Sequence, residues 1–266
     1  MRQAKFSPRK KVDFQEATDP DLVPEKTETY TPLSNLEVIR QVRNKAGRMG
    51  YDISMERYLM NKKRSQFFGT FVLENEEGGI SSQIGVCNSY DKTRSAIVAL
   101  GASVHRCSNL SFSTFKKFRK HTGDVHGDFE DMVENAFGRV EDETQRIRQR
   151  YNLLREVDLN DEDAAYLLGR LLYDLQVPVT LVNATKKSLL NDDFVFGNDT
   201  WFDFHMHLTD ALKESHPRNM VEDHITTEEM LVGEAKARMN GADRQLGNPN
   251  AHRMTRVSGR TASMDV

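Results

Sequence analysis

The sequence predicts an α+β domain that has a small, mainly antiparallel sheet, an N-terminal helix and a C-terminal helical half. Three observations predict this class. Apolar residues recur at helical spacing before Gly50, short runs rich in β-forming residues follow between residues 66 and 107, and helical spacing returns after Gly127. Strands that follow one another closely in sequence pair as hairpins more readily than as parallel crossovers, so we expect the antiparallel arrangement.

The two ends of the 266-residue chain lack hydrophobic periodicity. Residues 1–30 mix prolines with alternating charge, which predicts a disordered arm. Residues 236–266 mix Gly, Asn, Ser, Arg and Met without a period, which predicts a flexible tail. A single domain is therefore expected over residues 31–235, with a sheet part at 51–123 and a helical part at 124–235.

The elements of the sheet part follow from capping and turn signals. Ser34 and Glu37 form a capping-box pair that predicts the start of the first helix, which should end near Gly50. Strands are predicted at residues 66–73 and 80–86, and then at 95–100 and 102–107 on either side of a tight bend at Gly101. The expected sheet has about four strands.

Four helices are predicted in the helical part. The first should span roughly residues 128–156 and carry one apolar stripe. The second should begin at Asn160 and end before Pro178, and the third should run from Trp201 to about residue 214. Thr226 and Glu229 predict the start of the fourth.

Composition excludes several classes of protein. No apolar run approaches the roughly 20 residues of a membrane helix, and the first residues lead into charge instead of an apolar signal sequence, so a cytoplasmic protein without a membrane partner is expected. The two cysteines, Cys87 and Cys107, form no CxxC pair and are expected to be buried thiols. The common nucleotide, hydrolase and zinc motifs do not occur, and no cofactor is predicted.

Charge is distributed unevenly along the chain, although the net charge is only −3. Residues 57–120 carry a net charge of +7, whereas residues 124–234 carry −15. Two basic runs flank the predicted sheet, and phosphate contacts dominate the affinity of proteins for nucleic acid. The candidate nucleic-acid-binding residues are Lys62, Lys63, Arg64, Tyr90, Lys92, Arg94, Lys116, Lys117, Arg119 and Lys120.

Three aromatic residues, Tyr90, Phe115 and Phe118, lie within or beside these basic segments and could stack on bases, which favours a single-stranded partner. The turn at residues 88–92 has two interpretations. Its Asn, Ser and Asp side chains could simply form the turn, or the turn could hold a phosphate together with Arg94.

Histidine and carboxylate patterns raise a metal-site hypothesis. His121 and Asp124 lie in one loop, and His205 and His207 lie in one predicted helix. If the two segments met, a site suited to a metal-dependent phosphoesterase could form. The alternative is that these are capping and surface residues.

The segments from Ile84 to Phe112, KHTGD at residues 120–124 and the stretch from Thr200 to Gly233 resemble a family of phage and plasmid proteins known as domain of unknown function 932. Cys87 departs from the Arg usual in that family, as does the FHMH stretch at residues 204–207 from its usual pattern. The resemblance implies a phage or mobile-element origin and brings no established activity. The residues that carry it most specifically are Asn88, Ser89, Asp91, Gly101, Cys107, Asn109, His121 and Thr122.

The leading hypothesis from the sequence is a non-enzymatic phage accessory protein that binds nucleic acid through its basic sheet region, in replication, recombination or counter-defence. One alternative is a protein that binds a host factor, with its acidic helices mimicking a polyanion. The other is the metal-dependent phosphoesterase.

Overall fold

Six antiparallel strands form one sheet in which each strand pairs with its neighbours in sequence. The computed structural model describes residues 10–74, 79–104, 109–191, 199–213, 215 and 219–245. The α+β class is confirmed. The strands are β1 (Lys10–Val12), β2 (Ile53–Met60), β3 (Gln66–Leu73), β4 (Ile80–Ser89), β5 (Ala96–Val104) and β6 (Asn109–Arg119).

Helices cover both faces of this sheet. The face that carries Ile84 and Val98 packs against α2 (Asn35–Arg48) and α3 (Val125–Phe137) and, at the end near Ile80, against α4 (Val140–Arg155) and α7 (Trp201–Leu212). The other face, which carries Cys87 and Ala99, packs against α8 (Met220–Gln245). Strands β3, β4 and β5 are therefore buried along their whole length. Such burial on both faces explains the long apolar runs of β3 and β5.

A separate apolar cluster holds the remaining helices together. It includes Leu154, Leu171, Trp201 and Leu231 and contains no residue of the sheet. The helices α5 (Asp161–Tyr173) and α6 (Val179–Leu189) belong to this cluster. The helical half therefore extends beyond the region that packs on the sheet.

The expected N-terminal helix is confirmed as α2. Ser34 is its N-cap, and its hydroxyl accepts a hydrogen bond from the backbone N–H of Glu37 at 3.1 Å. The helix ends at Arg48, and Gly50 follows with a φ of 76°, a value that glycine adopts without strain.

The prediction of a disordered arm is wrong for residues 10–30. Strand β1 pairs with β2, with Val12 opposite Tyr58, and the short helix α1 (Phe14–Ala17) follows. Val12 and Ala17 are buried in the core. These two contacts are too few to produce a period, so sequence patterning missed them. Residues 1–9 lie outside the described part of the chain.

The sheet is larger than expected, and Gly101 does not separate two strands. It lies inside β5 where the pairing with β6 shifts register, a common role for glycine in a strand. The predicted strand at residues 102–107 is thus partly the end of β5. Residues 116–119 of the basic run belong to β6, which ends at Arg119. Strand β2 was missed because Glu56 and Arg57 interrupt its apolar residues.

The helical half also differs from expectation. The predicted long helix breaks at Gly138 and Arg139 into α3 and α4. Helix α6 was not predicted, and α8 begins at Met220, so Thr226 lies inside the helix. Because α8 continues to Gln245, the prediction of a flexible tail is wrong for residues 236–245, which are helical. The rest of the predicted tail, residues 246–266, lies outside the described residues.

Candidate nucleic-acid interface

One end of the sheet collects most of the predicted basic residues. In a meander, alternate turns lie at the same end, and here Gln66 pairs with Ser89 while Ala96 pairs with Arg119. The β2–β3 turn, the β4–β5 turn and the end of β6 therefore lie together. We call this region the basic end; it carries Lys62, Lys63, Arg64, Lys92, Arg94, Arg119 and Lys120.

Strand β6 is an edge strand, and its two adjacent lysines lie on opposite faces of the sheet. Lys117 pairs with Val98, which belongs to the core with α2 and α3, and Lys116 pairs with Ala99, which packs against α8. Residues directly opposite in a ladder share a face. Phe118 shares the face of Lys116 and is 71% exposed. Together with Arg94, these two side chains help to line a cavity of about 340 Å³.

The three arginines of the basic end are bound to carboxylates. Arg64 lies 3.3 Å from Asp19, Arg94 lies 3.2 Å from Glu222, and Arg119 lies 2.5 Å from Asp128. These pairs attach residues of the N-terminal segment, α8 and α3 to the sheet. The arginines thus stabilise the fold, and their charges are largely compensated.

The lysines differ from the arginines in this respect. All six are exposed, and the described part of the chain places no carboxylate within ion-pair distance of any of them. Within the described ranges, their charges therefore face solvent without compensation. The six are Lys62, Lys63, Lys92, Lys116, Lys117 and Lys120.

Two of the three aromatic residues expected to stack on bases have structural roles. The Tyr90 hydroxyl accepts a hydrogen bond at 2.8 Å from the backbone N–H of Asn35, in the first turn of α2. Burial raises the pKa of Tyr90 to about 12, so the phenol is neutral. Phe115 is buried, and the Arg139 guanidinium lies 5.4 Å from the centre of its ring. The interpretation of Tyr90 as a binding residue is thus corrected, and Phe118 alone of the three is exposed.

Asp91 joins the two turns of the basic end. Its carboxylate accepts hydrogen bonds from the hydroxyls of Ser89 and Thr93 on one oxygen, and from Ser65 and the Gln66 amide on the other, at 2.5–3.0 Å. Burial acts to raise the pKa of Asp91, but these hydrogen bonds outweigh it and lower the pKa to about 2. This side chain is therefore fully occupied in building the turns.

The other residues that carry the family resemblance are spread over the fold. Asn88 is buried, and its amide donates to the Leu33 carbonyl at 2.7 Å and to the Asn35 side chain at 2.8 Å. Asn109 begins β6 at the opposite end of the sheet, and Cys107 lies outside the described residues. Gly101, as described above, lies within β5. These positions form no single pocket.

A pocket of about 380 Å³ opens at the corner between the β4–β5 turn and the end of β6. We call it the corner pocket. Thr29 and Tyr30 contribute to it from the segment expected to be disordered, so sequence patterning could not reveal this wall. The lining residues are Thr29, Tyr30, Lys92, Thr93, Arg94, Ser95, Lys120, His121 and Thr122.

His121 is the most deeply placed polar side chain of the corner pocket. It is 5% exposed, and its ring centre lies 5.4 Å from that of Tyr30. Both of its ring nitrogens are buried, and neither makes a hydrogen bond of good geometry with a described residue. Burial lowers the pKa of His121 and outweighs the opposing effect of the Thr31 backbone, so the imidazole is neutral at pH 7.

The two segments of the metal-site hypothesis do not meet. His205 lies 3.7 Å from Glu228 of α8, His207 bonds Ser188 of α6 at 2.8 Å, and Asp124 caps α3. His121 packs instead against Tyr30. Within the ranges that the structure covers, no three His, Cys, Asp or Glu side chains are grouped to hold a metal ion.

Comparisons with models of protein families, with curated proteins and with solved structures find no match. The resemblance to domain of unknown function 932 therefore stays a prediction. None of the helices in the described ranges has the length and apolar character to cross a membrane. The fold and site define an α+β protein with a lysine-rich end of the sheet and an adjoining pocket.

Proposed function

We propose that this protein binds nucleic acid, preferentially single-stranded, through the basic end and the adjoining edge strand β6. In this proposal it is a non-enzymatic accessory protein of a phage or another mobile element. The observation that carries the binding proposal is the set of six exposed lysines at the basic end and on β6, which have no carboxylate partner among the described residues, together with the exposed Phe118 on β6.

The kind of side chain available favours contacts with phosphates over reading of base sequence. Lysine is a compact charge on a flexible stem and binds phosphate as a point charge. The arginines that could make bidentate contacts with bases are held by Asp19, Glu222 and Asp128. We therefore expect an affinity that depends strongly on salt and weakly on sequence.

The exposed ring of Phe118 favours a single strand as the partner. It is 71% exposed on the face that also carries Lys116, so one base could stack on it while the phosphates contact the lysines. Stacking of a base on an aromatic side chain contributes about 1–3 kcal/mol and requires a base that is free of its complement. A duplex offers only the phosphate contacts.

The acidic residues of the helical half do not oppose this arrangement at the basic end. Glu222 and Asp128, which lie at the basic end, are paired with arginines. Helix α5, which has three acidic residues in its first turn, belongs to the apolar cluster that contains no sheet residue. Asp91 and Asp124 also lie at the basic end, but the exposed Lys62, Lys63, Lys92 and Lys120 outnumber them, so the lysines mainly set the field that a polyanion meets there.

Fluorescence anisotropy with a labelled single strand and the matching duplex tests the proposal at about 50 and 200 mM salt. We expect tighter binding of the single strand, with a logarithmic salt slope of about −0.7 for each phosphate contacted. A variant that changes Lys116 and Lys117 to Ala should bind more weakly and show a flatter slope.

A matched control changes Lys186 and Lys187 to Ala. These exposed lysines lie on α6, which belongs to the cluster away from the sheet. The control variant should bind like the wild type. Absence of binding at low salt, or equal losses in the two variants, would remove the proposal.

A further inference from the structure

The corner pocket differs from the rest of the basic end because it is a recess and not a surface. Lys92, Arg94 and Lys120 line it, and no carboxylate is among its lining residues. A buried histidine with two unpartnered ring nitrogens completes it. Contacts between phosphates and the exposed lysines do not require a recess, so the corner pocket calls for an explanation of its own.

We infer that the corner pocket binds a phosphate monoester, namely the terminal phosphate of a nucleic-acid strand. That the monoester belongs to a strand end rests on the proposed function. The 5′ and 3′ phosphates share the chemistry that the pocket would recognise.

The histidine is the strongest indication of a ligand. A buried polar group without a partner costs about 1–3 kcal/mol, and nearly all such groups in folded proteins are satisfied. The neutral imidazole of His121 carries one N–H donor, which a phosphate oxygen would satisfy. The Tyr30 ring packs against the imidazole, and the Thr31 N–H donates a hydrogen bond to the His121 carbonyl at 2.9 Å. Because both ring nitrogens are covered in the free protein, the imidazole must rotate toward the pocket for its N–H to reach a phosphate oxygen.

The charges of the pocket match a monoester better than an internal phosphodiester. A terminal phosphate carries about −1.5 to −2 charges at pH 7, whereas a phosphodiester carries a single charge. Lys92 and Lys120 are uncompensated, while Arg94 shares its charge with Glu222. The hydroxyls of Thr29, Ser95 and Thr122 lie in the same lining and add hydrogen-bonding capacity.

The backbone of Lys92 is held in an uncommon conformation at the mouth of the pocket. Its φ is 62°, in the left-handed region that lysine rarely occupies, and its ammonium group lies 4.8 Å from the centre of the Tyr30 ring. Asparagine or glycine would adopt this φ with less strain. A lysine here therefore indicates a role for its charge, in line with the clustering of strained residues at binding sites.

The size of the pocket limits what can enter it. A volume of about 380 Å³ is near the lower end of the range of roughly 300–1,000 Å³ for small-molecule sites. This space suits a phosphate with its attached nucleoside, and not several nucleotides. The rest of the strand would then lie on the basic end.

Anisotropy with three labelled oligonucleotides of one sequence tests the inference: one with a 5′ phosphate, one with a 3′ phosphate and one with neither. We expect at least one phosphorylated oligonucleotide to bind about tenfold more tightly than the unphosphorylated one, the effect of one hydrogen bond to a charged group. His121→Phe retains a ring against Tyr30 but removes both nitrogens, so the ratio of affinities should fall to about one. Lys120→Ala should lower the same ratio, and this variant provides the test if His121→Phe does not fold.

The control variant at Lys186 and Lys187 should retain the wild-type ratio. Equal affinities for all three oligonucleotides would overturn the inference and leave the proposed function standing. If no oligonucleotide binds, the proposed function is refuted, and so is the proposal that the pocket recognises the end of a strand. A rise in melting temperature with a 5′-mononucleotide, absent with the nucleoside and absent in His121→Phe, would still support a monoester site; no rise in the wild type would remove it.

Discussion

Replacement of Asn88 by Ala should destabilise the protein strongly without acting through the nucleic-acid site. Asn88 is 3% exposed, and its amide group donates both of its hydrogens, to the Leu33 carbonyl and to Asn35. Asn35 in turn donates to the Ala17 carbonyl at 2.9 Å. One side chain at the end of β4 thus holds the start of α2 and, through it, the segment that contains α1.

The size of the effect follows from the two acceptors that the substitution leaves behind. Each is buried and would lose its donor, at about 1–3 kcal/mol each, and the truncated side chain leaves a small cavity. We expect a loss of about 2–4 kcal/mol, a large fraction of the roughly 5–15 kcal/mol that stabilises a typical domain. At about 2–4 °C per kcal/mol, this corresponds to a melting temperature lower by roughly 5–15 °C.

Urea unfolding followed by circular dichroism measures this loss, with Asn135→Ala as the control. Asn135 is exposed on α3, and its amide donates only to the Asp131 carbonyl one turn earlier, so its replacement should change stability by less than about 0.5 kcal/mol. A change of that small size in Asn88→Ala would refute the reasoning. So would a loss of oligonucleotide binding in a variant of unchanged stability, because Asn88 would then be a ligand.

Three further predictions concern other parts of the sheet. Gly85→Ala would place a Cβ atom 2.3 Å from a ring carbon of Phe112 and should cost about 1–3 kcal/mol in thermal unfolding, whereas Gly47→Ala, with open space around it, should be neutral or stabilising by up to about 1 kcal/mol. Because the pKa of Asp91 is lowered to about 2 in the folded protein, its carboxylate contributes stability that is present above about pH 4 and is lost as the pH falls through 2. This loss, about 1 kcal/mol after allowance for solvent screening, should be absent in acid unfolding of Asp91→Asn. Phe118→Ser should leave stability within about 0.5 kcal/mol but weaken single-strand binding by about 1–3 kcal/mol, with little change for a duplex; equal losses for both ligands would exclude stacking.

Local signals in the sequence predicted the elements that depend on local physics. The capping of α2 by Ser34 is a contact within one turn, so it could be identified from the spacing to Glu37 alone. The strands at β3 and β4 have apolar residues along their length because helices cover both faces. Their existence was predicted for that reason, although the covering helices were not placed.

Elements that depend on distant contacts were missed. Strand β1 exists because β2 provides a partner more than 40 residues away, and nothing in its three residues signals that pairing. The break at Gly138 falls inside an apolar stripe that continues across it, so periodicity predicted one helix where there are two. The sequence predicts a turn at Gly101 because glycine is common both at bends and at register shifts within a strand, and the structure shows the register shift.

The sequence predicted which charged residues belong to the candidate site, but not how they are arranged in space. The meander brings the two basic runs and the β4–β5 turn to one end, which the order of hairpins implies once all strands are known. Which cations are neutralised could not be read from the sequence, because Asp19, Asp128 and Glu222 lie far from their partners along the chain or on other elements. The wall that Thr29 and Tyr30 add to the corner pocket was hidden for the same reason.

The position of Lys116 and Lys117 on the outermost strand has a consequence for solubility. An unpaired strand edge is a template on which a second molecule can add its own strand, and repeated addition leads to fibrils. Adjacent positive charges there would repel the same charges on an approaching copy. The lysines proposed to attract phosphates would thus also keep the protein monodisperse, so their removal should promote self-association at high concentration.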